Sequence, residues 1–463
     1  MNKRIVVVGG GPAGLMASIA IAEELENMYI PGEERPEIVL LEKMQKCGRK
    51  LRITGKGRGN LTNAAALPDI IANIPGGGRF LNSSLRAFTN DNVVSFFEEA
   101  DVQTKVERGG RVFPVSDNAE DLVSALTITA RRLGVDIRTA SPAAKLLWDD
   151  INTEEPASEK PDEVSNDKKS KRKAEKLKPL KKIQGVRLRS GEEISADIVI
   201  VATGGLSYPA TGSSGDGHSW AKELGHTVTD TFPALVPLET DDEWTAEATG
   251  LSLKNVQATL VVDGKEAGHE FGELLFTHFG VSGPIVLRLS RTASKALNVQ
   301  EPLGFVELNI DLKPALSMEQ LTARLDRDLE KFAGKAMKNA LTELLPAKLI
   351  APILDLSYID GMQTANSLSR ESRNRLAETI KAVPLTVTGT RPYTEAIVTA
   401  GGVNTDEIIP KSMASKLVAG LYWAGEVIDI DGYTGGYNLQ AAFSTGHAAG
   451  VAAARAFVAD FPE

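Results

Sequence analysis

The sequence predicts an α/β fold: a Rossmann-like nucleotide-binding domain interrupted by an inserted, mainly-β domain with a helical part. Three observations carry this. Ile5-Val6-Val7-Val8 is a β-branched run of the kind buried on both faces of a parallel sheet. Glycines at 9, 11 and 14 follow with G-x-G-x-x-G spacing and lead into a small-residue helix over 13–25. Similar buried runs recur at 198–205 and 420–426, on either side of a middle stretch of different character.

Each glycine of the first turn has a physical task. Gly9 permits the tight strand-to-helix turn, Gly11 lets a pyrophosphate approach the backbone, and Gly14 lets helix and strand pack closely. Pro12 and Ala13 open the helix, whose N–H groups and positive end favour phosphate. A second strand over 38–42 ends in Glu42, placed to accept hydrogen bonds from a ribose. The polar, proline-bearing stretch 26–37 reads as a surface insertion that lengthens the gap from the glycines to this acid.

Residues 48–63 follow, with glycines at 55, 57 and 59 and basic side chains at 49, 50, 52, 56 and 58. Such a cationic, donor-rich loop suits phosphate oxygens or the polar edge of a flavin. An exposed basic loop is the alternative. Arg49, Lys50, Thr54, Gly55 and Asn60 are its candidate binding residues, with Lys43 just before it. Amphipathic helices are expected over 90–100 and 118–133, with a third sheet strand over 135–139. Residues 149–182 pass from an acidic to a basic run with little apolar content and read as a solvated, disordered insertion. The strand over 198–205 ends in Thr203 and Gly204, a second close approach of backbone to a dinucleotide.

From about residue 232 the pattern changes to short alternating strands (258–262, 305–310), then a helical part over 318–381 and a returning strand over 385–388. The expected domains are therefore 1–207 with 394–463, and an inserted 208–393. The last seventy residues supply Gly425 and Glu426 at a strand end, then a helix from near Gly436 to about residue 459.

Composition narrows the function. With 42% hydrophobic and 24% charged residues the chain is an ordinary globular protein, and a net charge of −9 argues against a general nucleic-acid binder. One cysteine, Cys47, forbids an intrachain disulfide and fits the cytoplasm. Lys3 and Arg4 precede an apolar stretch, but glycines break it at residue 9, so a signal peptide is rejected. No run approaches ~18 apolar residues, so no spanning helix is expected. The five histidines show no zinc-ligand spacing, and no metal is expected.

These pieces resemble the flavoproteins with two dinucleotide-binding domains and, more narrowly, the bacterial BaiN/RdsA-type NAD(P)/FAD-dependent oxidoreductases, which include aminoacetone-oxidase-like members. The resemblance runs through residues 9–14, 48–63, 110–116, 202–209, 275–284, 399–403 and 424–438. It implies FAD contacts from Gly9, Gly11, Gly14, Glu42, Thr54, Gly55, Gly204, Gly425, Glu426, Tyr437 and Asn438. It also implies that the segment holding Ala143 grips adenine through its backbone. The family usually has Gly-Arg-Cys-Asn where this chain has Gly57-Arg58-Gly59-Asn60, so a mechanism needing a thiol there is excluded.

The favoured reading is reduction of an activated double bond in a small organic or steroid-like substrate, with FAD as cofactor and NAD(P)H docking transiently. No second βαβ module serves a nicotinamide. The substrate is expected beside the flavin and the inserted domain, with His278, Arg391 and Tyr393 as candidates for polar work. His278 would donate a proton or anchor substrate, or be a satisfied core residue; Arg391 would fix a carboxylate, or form a surface ion pair. Rival readings are an oxygen-dependent amine oxidase and, on the lysine run alone, a flavin-containing nucleic-acid-binding protein.

Overall fold

The β-branched run becomes β1 (Arg4–Val8), the central strand of a five-stranded parallel sheet in the computed structural model. Residues 3–28, 35–151, 179–299 and 304–459 are described. The other sheet strands are β2 (Glu37–Leu41), β3 (Asp136–Arg138), β4 (Ile198–Val201) and β5 (Leu421–Trp423), in spatial order 5-4-1-2-3. Ile5 lies opposite both Ile38 and Ile198. All four residues of β4, and Val6 and Val7 of β1, are buried, as a sheet covered on both faces requires.

The strand order reverses between β1 and β4, so the chain leaves the carboxyl ends of these neighbours in opposite directions and opens a crevice there. Helix α1 (Pro12–Asn27) and helix α2 (Tyr437–Ala459) pack against one another. A Cβ on Gly446 would lie 2.3 Å from the Ala13 carbonyl oxygen, and one on Gly450 would lie 2.4 Å from that of Ala17. These two glycines let the helix backbones touch, which fixes the first and last helices of this unit together.

The chain divides into two compact units, Met1–Asp230 with Gly401–Glu463, and Thr231–Ala400. The expected boundaries lay at 207/208 and 393/394; residues 208–230 count in the first unit and 394–400 in the second. The first unit also holds a four-stranded sheet that sequence reading did not anticipate. In it Ala143–Asp150 pairs with Lys181–Leu188, flanked by Glu193–Ser195 and Val418–Ala419. The ends of the predicted charged insertion are thus strand residues, with Asp149 opposite Lys182 and Asp150 opposite Lys181. Its remainder, 152–178, lies outside the described residues, as do 29–34 of the predicted insertion at 26–37.

The second unit is a closed antiparallel barrel of Leu238–Thr240, Gly280–Ser282, Lys265–Thr277, Ser252–Val262, Val306–Asp311 and Val383–Thr390. Alternation explains it: Val306, Leu308 and Ile310 are buried while Glu307, Asn309 and Asp311 are not. The helical part spans Met318–Lys331 to Arg370–Lys381, each of those two helices opened by a serine that accepts from its third-position N–H. Among the described residues no helix is long and apolar enough to cross a membrane, and no three His, Cys, Asp or Glu side chains could hold a metal.

Candidate functional site

The turn at the reversal point is built from glycines with unequal surroundings. Gly9 has φ of +112°, and a Cβ there would sit 2.4 Å from the Ala202 carbonyl oxygen, at the end of β4. A Cβ on Gly14 would lie 1.9 Å from the Gly9 carbonyl oxygen. A Cβ on Gly11 would meet nothing within 4 Å. The turn is therefore closed on its inner side and open on its outer side, where α1 begins. Gly11 caps that helix without a side-chain bond, Pro12 is its first residue, and its first turn carries no acid. The positive end of α1 therefore faces the open side uncompensated by a carboxylate of its own.

Glu42, at the end of β2, is buried and accepts from the Gly10 N–H at 2.8 Å and the Met44 N–H at 2.7 Å. Burial pushes its carboxyl above the ordinary carboxylate range, against the pull of those two N–H groups and of Lys43 and Arg49. Cys47 packs beside Gly10, and burial, with Glu42 nearby, pushes its thiol up to about 11. It is a core thiol, not a nucleophile.

The cationic loop is largely spent on internal pairs. Lys50 Nζ donates to Glu426 and to Ser207, whose hydroxyl donates to Glu426 Oε1 at 2.8 Å. Lys43 pairs with Asp216 at 2.8 Å and with Ser214. Arg52 pairs with Glu120, and Arg58 with Glu107 and Asp117. Arg49 and Lys56 are exposed. The Lys50–Ser207–Glu426 knot draws together the loops that follow β2, β4 and β5. Ser207 was not among the predicted site residues: nothing in its spacing announces that two distant charged groups share its hydroxyl.

The same edge gathers most of the remaining candidates. The Thr54 hydroxyl donates to Leu51, and Gly55 has φ of +58°. The Asn60 amide, with its nitrogen toward the Thr62 and Val112 carbonyls, accepts from the Gly436 N–H at 2.8 Å just before α2. Thr203 Oγ1 is buried with no hydrogen-bond partner among the described residues. Gly204 and Gly425 both have φ of +74°, and the Gly425 N–H is held by Thr445. Tyr437 is buried at the start of α2, and Asn438 bonds the Gly432 N–H and carbonyl, each at 2.7 Å. Ala143 is buried at the head of its strand. Gly59, where the family pattern has cysteine, has φ of +77° and no room for a Cβ against Leu122 and Ala119.

The second unit carries the other three candidates. His278 is exposed in the turn after Lys265–Thr277, not in the core, with its ring edge-on to Phe279 at 5.0 Å. Arg391 stacks over Phe279 at 4.5 Å and is committed to Glu239 at 2.9 Å and to Glu395 at 2.6 Å. Tyr393 is half-buried, and burial raises its phenol above the ordinary range while Thr231 bonds it.

A glycine turn at the reversal of a parallel sheet, open where a helix begins, defines a dinucleotide-binding protein of the Rossmann class. Family comparison gives the particular kind. The chain matches the HI0933-like protein Rossmann domain over residues 3–160 and the HI0933-like protein barrel and H2TH domain over 232–398. It belongs to the HI0933-like family. It is 31% identical over 454 residues to the 3-dehydro-bile acid delta(4,6)-reductase of Clostridium scindens, spanning 98% of this chain and 99% of that one. It is 29% identical over 454 residues to the ribosomal RNA dihydrouridine synthase of Haemophilus influenzae, spanning 97% and 98%. A 3-ketosteroid delta1-dehydrogenase of Sterolibacterium denitrificans superposes over both whole chains with a TM-score of 0.49 at 11% identity.

Proposed function

We propose that the protein reduces a carbon–carbon double bond conjugated to a carbonyl in a small organic substrate, with FAD resident and NAD(P)H as the transient reductant. The observation that carries this is the turn at the reversal point, closed by backbone at Gly9 and Gly14 and open at Gly11. The names of the Clostridium and Haemophilus relatives both describe reductions, which supports the direction of the chemistry.

In this reading Gly11, Pro12, Ala13 and Gly14 hold the pyrophosphate at the start of α1, and Glu42 takes a ribose hydroxyl on a lone pair left free by Gly10 and Met44. The strand head at Ala143 receives the adenine. Lys43 and Lys50 act through their pairs with Asp216 and Glu426, and Arg49 remains available to phosphate. Thr54, Gly55, Asn60, Thr203, Gly204, Gly425, Glu426, Gly436, Tyr437 and Asn438 form the bed for the ring system. The orphaned Thr203 hydroxyl and the N–H groups opening α2 suit its polar edge. FAD, when bound, supplies hydride chemistry. His278 is the candidate proton donor, and Arg391 and Tyr393 its companions.

Anaerobic mixing tests the reading. NADPH or NADH should bleach the flavin and an α,β-unsaturated ketone should restore its colour. Bleaching by an amine instead, with peroxide formed on admitting air, would establish the oxidase. A second reading, reduction of a base within RNA, is favoured by the Haemophilus relative. Deleting 152–178 and measuring salt-dependent RNA binding tests it; unchanged binding would remove any role for the lysine run.

A further inference from the structure

Tyr208 occupies a backbone conformation that its side chain disfavours. Its φ and ψ are +50° and +58°, the left-handed region, and Pro209 follows it. A bulky residue at positive φ is an outlier, and the position before proline is normally extended. The same loop places glycine at its other left-handed positions, Gly204, Gly212 and Gly215. Glycine would relax position 208 as well, yet tyrosine stands there.

The surroundings hold this conformation from both sides. Ser207, fully buried, is pinned by Lys50 and Glu426. After Tyr208 the chain closes a tight turn in which the Thr211 N–H and hydroxyl both donate to the Tyr208 carbonyl at 2.8 Å. The Tyr208 ring is half-buried, and its hydroxyl makes no hydrogen bond among the described residues. Strain that neighbouring contacts enforce clusters at ligand sites, and here it falls one residue from the knot that joins the loops after β2, β4 and β5.

We propose that Tyr208 is a substrate-contacting residue of the reductase, its phenol donating a hydrogen bond to the substrate's carbonyl oxygen. The inference rests on the function proposed above. As the β-carbon accepts a hydride, the π electrons move to the carbonyl oxygen, where the phenol stabilises the developing charge. The α-carbon then takes a proton from His278, the candidate donor named above, and NAD(P)H is the source of the electron pair. A preorganised donor of this kind is worth on the order of 100-fold in rate.

The test compares the parent holoenzyme with Tyr208→Phe and Tyr208→Gly, using 2-cyclohexenone as the probe. Four quantities are read: FAD content, thermal midpoint, cyclohexenone dissociation constant from the flavin absorbance, and the rate of anaerobic reoxidation. Both variants should keep parental FAD and be bleached by NADPH at the parental rate. Tyr208→Phe should weaken cyclohexenone binding and slow reoxidation on the order of 100-fold. Tyr208→Gly should do the same with a thermal midpoint no lower than that of Tyr208→Phe. Reoxidation of Tyr208→Phe within twofold of the parent, or loss of FAD from both variants, makes Tyr208 structural and overturns the assignment alone. A parent protein that cyclohexenone neither binds nor reoxidises overturns the reductase reading and this assignment with it.

Discussion

The carboxyl edge of the parallel sheet and the rim of the barrel carry the two groups of residues that sequence reading singles out, and they are built differently. At the sheet edge the working surface is backbone: glycines, helix ends and N–H groups, with side-chain charges neutralised in Lys50–Glu426 and Lys43–Asp216. At the barrel rim it is side chain: exposed His278, and Arg391 stacked on Phe279 between two glutamates. A surface of backbone groups is fixed by the fold and tolerates almost no substitution. A surface of side chains can change its chemistry while the barrel beneath stays intact.

The largest expected effect breaks the backbone surface itself. Gly14→Val puts a side chain where even a Cβ would lie 1.9 Å from the Gly9 carbonyl, and should cost at least about 3 kcal/mol in thermal or urea unfolding. Gly11→Val is its counterpart. A Cβ there has no protein atom within 4 Å, so the unfolding midpoint should stay near the parental value while the FAD dissociation constant, read by titration calorimetry, rises at least about tenfold. Equal losses of stability in the two variants would abolish the distinction between closed and open sides of the turn.

Next comes the Lys50–Ser207–Glu426 knot. Its charged side chains are only 23% and 18% exposed, so Lys50→Met should cost about 1–3 kcal/mol by removing the cation that faces the Glu426 carboxylate. Adding Glu426→Gln should recover part of that loss in a double-mutant cycle.

Acid should also separate the two units. Burial pushes His226, His218 and His447, all in the first unit, below the ordinary imidazole value of 6.5. Unfolded, these rings take up protons as pH falls through 6.5; folded, they stay neutral until lower pH. The stability is therefore present above 6.5 and lost as pH falls toward the folded values. Hydrogen-exchange protection factors should fall in the first unit between about pH 7 and pH 5, and His226→Gln should flatten that dependence. The barrel unit's histidines, His269 and His278, are exposed. The smallest effect belongs to its rim: Arg391→Met should change unfolding by less than about 1 kcal/mol, since its ion pairs are open to water.

Much of the sheet edge was legible because its signals are local. The run at 5–8 could only be a buried strand, and the glycines at 9, 11 and 14 fall within one turn of chain. The small-residue helix near the C-terminus announced α2 to its last residue. The hairpin around 143–150 and 181–188 was hidden, because the charged stretch between its arms masks their alternation. The knot at Ser207 was hidden for another reason: it joins residues 157 and 219 positions apart, which no local pattern records. At the barrel rim the aromatic flanks of His278 suggested a core position, yet the tight turn between Lys265–Thr277 and Gly280–Ser282 carries it outward.

The central claim is that the open turn at Gly11 and the loops beyond β2, β4 and β5 hold FAD. Releasing the chromophore from purified protein and measuring it against chain concentration tests this most directly. The account predicts about one FAD per chain. A colourless protein that takes up none from excess FAD while keeping its folded far-ultraviolet signature would contradict it.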